Sequence, residues 1–149
     1  MATTVGTETN IRDLVTNLIF LERDAIAAYE STISRLSGTV LAEQVEAFRQ
    51  DHLHHLDVLN EIAAETGADA PLEGDMKQML TTGKVAMASL LGDSAILKAM
   101  RTNEEDTVTA YQRATEHPDA HLKSLLFFQK AMDDELRHRE WMTRTAETL

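Results

Sequence analysis

The chain has 149 residues, no cysteine, two prolines and a formal net charge of −11 at pH 7. That length holds one domain with a full core, and the absence of thiols excludes disulfides, iron–sulfur clusters and thiolate-bound iron. Hydrophobic residues make up 43% against 26% charged, a globular balance, and the acidic excess without a dense basic cluster excludes nucleic acid and anionic membranes as partners.

Residues 1–9 are small and polar, without the apolar core of a secretory signal. They read as a flexible lead into a single domain spanning 1–149, and no apolar run reaches membrane-spanning length. A cytoplasmic location is the expectation. Long Ala/Leu/Glu/Arg/Gln-rich runs favour helix throughout, so the fold class is all-α.

The first helix is predicted from near Asn10, a good N-cap, to Leu36, closed by Gly38. Its apolar stripe, Leu14, Leu18, Ala25, Tyr29 and Ile33, includes Glu22, which therefore points inward. The second is predicted from about Val40 to Thr66, stopped by Gly67. Its seam of Val45, Phe48, Leu59 and Ile62 is interrupted by His52 and His55, while His54 lies about 100° away on a more exposed flank. Residues 68–74 read as a loop, and a short helix from about Asp75 to Leu91 covers roughly 25 Å at 1.5 Å per residue. That is enough for a crossover carrying the chain back along the bundle. The third long helix, about Asp93 to His117 with Asp93 or Ser94 as cap, puts Leu97, Met100, Glu104, Thr107 or Val108, and Tyr111 on one face. Pro118 marks the start of the fourth, which runs to about Ala146 with Phe128, Met132, Glu135, His138 or Arg139, and Met142 together. The architecture is an antiparallel four-helix bundle whose long connection between the second and third long helices contains the short helix.

Two halves of the chain repeat one pattern. Asp51-His52-Leu53-His54-His55 and Asp134-Glu135-Leu136-Arg137-His138 each follow, by about thirty residues, a Glu with a Tyr seven positions later: Glu22 with Tyr29, and Glu104 with Tyr111. One carboxylate on the first helix of each pair and an i, i+3 ligand pair on the second is how a helix bundle builds a core metal site. The candidate ligands are Glu22, His52, His55, Glu104, Glu135 and His138. Asp51 with His54 is the alternative register, ranked second because the seam does not support it. Histidine at 52, where a bridging carboxylate is expected, leaves three carboxylates for two divalent ions, so either a small anion completes the charge or one ion binds. Asp51 and Asp134, one turn before His55 and His138, are candidate acceptors for imidazole N–H, with solvated helix charges as the plain reading. Tyr29 and Tyr111 are core aromatics whose hydroxyls are in reach of the carboxylates. A metal-free polar core would need to satisfy three buried carboxylates with few buried cations, at several kcal/mol each on failure.

On Glu22…Tyr29, Asn103-Glu104-Glu105 and Asp134-Glu135-Leu136-Arg137-His138, the chain resembles the ferritin-like superfamily of bacterioferritins and rubrerythrins. Asp51-His52-x-x-His55, with Gly83-Lys84-Val85 and Gly92-Asp93-x-Ala95-Ile96-Leu97, is similar to small stand-alone bacterial ferritin-like proteins. The resemblance implies a di-metal centre, usually iron, that oxidises Fe(II) or reduces peroxide. Without a fifth helix or a rubredoxin-like module, a storage cage and a complete rubrerythrin are not expected. The expected cofactor is one or two iron ions, with zinc or manganese as alternatives. The expected partners are metal ions, a small oxidant and a second copy of the chain in a homodimer. A non-catalytic metal-binding or structural bundle is the rival function.

Overall fold

The computed structural model describes residues 3–74 and 77–149. Four long helices are present: α1 (Ile11–Arg35), α2 (Thr39–Thr66), α4 (Asp93–Thr115) and α5 (Leu122–Thr148). Between α2 and α4 lies the short α3 (Lys77–Ala88), which runs into a 3₁₀ turn at Ser89–Leu91. Asp75, where that helix was expected to begin, lies outside the described residues. Helices α1 and α2 pack as one antiparallel hairpin and α4 and α5 as another, while α3 lies against α1 and α4. The all-α bundle with a helical crossover is therefore the observed fold.

Asn10 caps α1 as expected, its side chain accepting from the Asp13 N–H, which satisfies one of the helix's unpaired amides. Gly67 closes α2 in the left-handed conformation at φ 75°, and the Ala68 N–H donates to the Ala63 carbonyl. Glycine takes that conformation without the Cβ clash other residues meet.

Three expected boundaries change. Gly38 does not close α1 but precedes α2 as its N-cap with φ −79°, and Arg35 is the last residue of α1. Neither Asp93 nor Ser94 caps α4; that position is taken by Gly92. The Asp93 carboxylate instead accepts from the Ser37 and Gly38 amides and the Ser37 hydroxyl, tying the start of α4 to the α1–α2 turn. These hydrogen bonds, led by that from the Ser37 amide, hold its pKa below the ordinary aspartate value. Ser94 Oγ donates to the Ala146 carbonyl at the end of α5. Finally, α5 starts at Leu122 rather than at Pro118. The Asp119 amide donates to His117 Nδ1 and the Ala120 amide to the His117 carbonyl, so Pro118 opens a turn, the other role its fixed φ suits.

The lead, expected to be flexible, makes specific contacts from residue 3 onward. The Arg113 guanidinium donates to the carbonyls of Thr3 and Val5, and His117 Nε2 donates to the Glu8 carbonyl. Gly6 adopts φ +102°, and a Cβ there would lie 2.3 Å from Arg113 Cβ, so both backbone and space require glycine.

The core has two apolar layers. One is built around Leu14, Leu18, Ile19, Leu59, Tyr111 and Phe128. The other gathers Tyr29, Val45, Phe48, Leu97, Met100 and Met142. Each large apolar side chain buried there contributes about 1.5–3 kcal/mol. Glu22 follows Leu18 and precedes Tyr29 along α1, and so sits at the junction of these layers. His52 falls between Phe48 and Leu59 on α2 in the same way. The polar site is thus enclosed by hydrophobic packing on both sides along the bundle.

Candidate metal centre

Six side chains meet in this junction: Glu22 from α1, His52 and His55 from α2, Glu104 from α4, Glu135 and His138 from α5. All are buried, none exposing more than 1% of its surface. His54 is exposed, so the second helix presents His52 and His55 inward, and the ambiguity between His138 and Arg139 resolves to His138. Their ligating atoms form two groups, each within 4.8 Å: Glu22, His52, His55 and Glu135, and His52, Glu104, Glu135 and His138. His52 and Glu135 belong to both. These are the two residues at equivalent places in the internal repeat.

His52 Nδ1 lies 2.7 Å from Glu22 Oε2 and 3.4 Å from Glu135 Oε1. Its other nitrogen, Nε2, faces Glu104 Oε1 at 3.6 Å. His55 Nδ1 is 3.2 Å from Glu22 Oε1 and 3.4 Å from Glu135 Oε1. On the far side, His138 Nδ1 is 3.4 Å from Glu135 Oε2 and 3.7 Å from Glu104 Oε2. The two oxygens of Glu135 therefore face opposite groups.

Four supporting hydrogen bonds, two from tyrosines and two from histidines, cross between the two halves of the repeat. Tyr111 on α4 donates to Glu22 Oε1 on α1 at 2.5 Å, and Tyr29 on α1 donates to Glu104 on α4. His55 Nε2 on α2 donates to Asp134 Oδ2 on α5, and His138 Nε2 on α5 donates to Asp51 Oδ2 on α2, both at 2.8 Å. The two aspartates do serve as imidazole acceptors, but each takes the histidine of the opposite helix, not the one a turn further along its own. This fixes each Nε2 as an N–H and leaves each Nδ1 facing the carboxylates, the arrangement that orients a histidine ligand.

Two further residues were not singled out from sequence. Thr107 Oγ1 is 3.1 Å from Glu104 Oε2 and 3.0 Å from Glu135 Oε2. Its position three residues after Glu104, in the inward stripe, is the signal that could have found it. Arg137 is half-exposed and donates from one guanidinium nitrogen to both Asp51 Oδ2 (2.8 Å) and Asp134 Oδ1 (3.1 Å). Its carbon lies 5.6 Å from the centre of the Phe48 ring, and that ring packs on His138. No periodicity marks such a contact, because Arg137 sits on the outward face of its own helix.

Electrostatically the site is a set of tightly paired charges. Burial opposes ionisation of Glu22, but His52 and His55 outweigh it and hold the carboxyl at about 2. Burial likewise opposes protonation of the imidazoles, yet the carboxylates raise His52 to about 10, His138 to about 11 and His55 to about 12. Burial, reinforced by Glu104, pushes Glu135 up. Glu104 is held well below its ordinary value despite burial, by the polar groups of Glu135, His138 and His52 that face it. Burial and the neighbouring carboxylates raise both tyrosines.

The raised histidine values stabilise the fold fully below pH 6.5, and that contribution erodes as pH climbs through about 10 to 12. The lowered Glu22 value acts oppositely, being fully stabilising above 4.5 and lost as pH falls to about 2. Chelator-treated protein is expected to melt highest between about pH 4.5 and 6.5 and to lose melting temperature steadily from pH 7 to 10. Thermal melts across that range in EDTA check this, and a flat profile above pH 6.5 would show that the imidazoles are not held protonated.

Among the described residues, three buried ligating atoms have no hydrogen-bond partner, only longer contacts of 3.4–3.7 Å: His52 Nε2, Glu135 Oε1 and His138 Nδ1. Unpartnered polar atoms are rare in a protein interior and call for an explanation. A cation between the carboxylates and the imidazoles supplies one. Nitrogen and oxygen donors from two histidines and two carboxylates per group suit iron, zinc or manganese. The residues fit a metal ion.

An all-α bundle with a buried histidine–carboxylate cluster able to hold a metal ion is the class of protein that fold and site define. The chain belongs to the family described as Domain of unknown function (DUF2383), which matches residues 10–117. That match takes in α1 to α4, while Glu135 and His138 lie on α5 beyond it. No curated protein and no solved structure matches the chain. Among the described residues, no helix is long and apolar enough to cross a membrane.

Proposed function

We propose that this chain is a ferritin-like metal protein that binds iron at two adjacent core positions and oxidises Fe(II) or reduces peroxide there. The observation carrying this reading is the pair of four-residue groups that share His52 and Glu135 within a sealed polar junction. Glu22 and His55 would hold one ion, Glu104 and His138 the other, and Glu135 would lie between them with one oxygen toward each. When bound, iron supplies one-electron redox chemistry toward a small oxidant.

The chain's own residues do the rest. Asp51 and Asp134 fix the ring orientation of His138 and His55, so that each offers Nδ1 inward. Tyr29 and Tyr111 hold Glu104 and Glu22 in place through hydrogen bonds and keep their protons, since burial and the carboxylates raise both phenols. The two apolar layers exclude bulk water, which strengthens every charge interaction between them.

A second reading, a non-redox zinc or manganese site, is favoured by one observation. His52 replaces the fourth carboxylate, making the first group as rich in nitrogen as in oxygen, a donor set that suits zinc. Elemental analysis of freshly purified protein, with His52→Ala and His55→Ala alongside, separates the readings. About two irons per chain, lost in the variants, together with Fe(II) oxidation in stopped-flow mixing, is the expected result. One zinc per chain and no Fe(II) turnover would favour the second reading, and no bound or bindable metal would overturn both.

A further inference from the structure

Arg137 immediately precedes His138 on α5, but its side chain turns outward over the seam between α2 and α5. One guanidinium nitrogen donates to Asp51 Oδ2 at 2.8 Å and to Asp134 Oδ1 at 3.1 Å. Those aspartates in turn accept from His138 and His55. An exposed ion pair by itself contributes little. This one differs because its acceptors are the groups that orient two buried imidazoles.

The two halves do not depend on Arg137 equally. The Asp134 side chain is only 8% exposed, and its Oδ1 also accepts from Lys130 at 2.7 Å. It keeps a cation when Arg137 is removed. The Asp51 side chain is 31% exposed, and one oxygen accepts from both Arg137 and His138. Among the described residues no lysine and no other arginine pairs with it. Without Arg137, only the His138 ring keeps this carboxylate from turning to water, which competes for any exposed acceptor.

A second contact converges on the same ring. Phe48, one turn before Asp51 on α2, has its ring centre 4.3 Å from that of His138 and 5.6 Å from the Arg137 guanidinium carbon. The cation is thus close enough to hold the phenyl ring as well.

We propose that Arg137 is a positioning residue for His138 alone: through Asp51 and Phe48 it holds the ring that serves the position of Glu104 and His138, while Lys130 makes it dispensable at the position of Glu22 and His55. Resting on the two-position reading above, this role extends it to a residue outside the ligand set that acts on one position and not the other.

The test titrates chelator-treated protein with Co(II) against a chromophoric chelator. Wild type is expected to take up two Co(II). Arg137→Gln is expected to hold one of them within about threefold of its wild-type affinity and the other about tenfold or more weaker, the usual range for a group supporting a ligand. In the Asp51→Asn background the same substitution should add no more than about twofold, because its main route is already cut, whereas in Asp134→Asn its full effect should persist. Arg137→Lys keeps the charge but not the planar fork. It should lie between wild type and the glutamine variant, again at one position, and carries the comparison if circular dichroism shows Arg137→Gln unfolded. Nitrogen-15 NMR of the metal-free protein supplies a readout that needs no metal: exchange of the His138 Nε2 hydrogen should quicken in the variant, and that of His55 Nε2 should not. Equal weakening at both positions, no weakening, or a full effect that survives Asp51→Asn overturns the selective role and leaves the two-position reading standing. Should the wild type bind no Co(II), that reading falls, and ring exchange decides the role of Arg137 alone: rates unchanged, or raised alike at both histidines, overturn it.

Discussion

Replacing Glu22 by alanine is expected to lower the stability of chelator-treated protein by about 3–5 kcal/mol at pH 7, the usual cost of breaking a buried ion pair from one side. Three groups depend on this carboxylate. His52 and His55 lie 2.7 and 3.2 Å from its oxygens, and the Tyr111 hydroxyl donates to it at 2.5 Å. All lie in the core with the carboxylate itself fully buried, so water cannot take over the lost contacts. Without Glu22 the two imidazoles lose the negative charge that sustains their protonation, and Tyr111 loses its acceptor. Glu22→Gln keeps the shape and one hydrogen-bond acceptor but not the charge, so its cost should fall between wild type and alanine. Urea unfolding at pH 7 measures all three. A Glu22→Ala variant within 1 kcal/mol of wild type, on the order of an ordinary exposed pair, would show that the buried network contributes little.

The second large effect is metal-dependent. A ligand that binds only the folded protein stabilises it by about 2.7 kcal/mol at a free concentration a hundred times its Kd. For a chain of this size that is a rise in Tm of about 5–10 °C. Such a rise is expected on adding Fe(II) anaerobically, or Zn(II) or Mn(II), to chelator-treated wild type. The double variant Glu22→Ala with His138→Ala removes one ligand from each position and should show no rise. Differential scanning calorimetry with and without metal checks this. An equal shift in the double variant would place the binding on the acidic surface rather than in the core, a real alternative for a chain of net charge −11.

Much of this site is legible in the amino-acid order because helical periodicity sorts residues by face. Glu22 among Leu18, Ala25 and Tyr29, and His52 and His55 among Phe48, Leu59 and Ile62, have to point inward if those apolar residues do, and all are buried. The same logic keeps His54 outside. Periodicity says nothing, however, about which neighbouring helix receives a side chain. Asp51 and Asp134 read as partners of the histidines one turn along their own helices, and each instead takes the histidine across the bundle. Tyr29 and Tyr111 cross over in the same way. An i, i+4 or i, i+7 spacing fixes a direction along one helix, whereas these hydrogen bonds depend on the separation between helices, which packing sets.

Helix ends show the same division. Asn10 and Gly67 act through short-range hydrogen bonds and backbone freedom, and both were readable. Asp93 reads as a cap for its own helix, but its carboxylate reaches amides 55 and 56 residues away. Pro118 suits a helix start and a turn equally, and the His117 ring, held against the Glu8 carbonyl and the Asp119 amide, selects the turn.

By itself, then, the order of residues determined an all-α bundle, two repeated helix pairs and six inward polar side chains, because each of these follows from local periodicity and propensity. Only the tertiary structure decided that His52 turns one nitrogen to each group, that Glu135 divides its oxygens between them, and that the two Tyr–Glu and two His–Asp pairs cross the bundle. Those are relations between helices far apart in the chain, and they exist only once the packing of the two apolar layers has set the helices side by side.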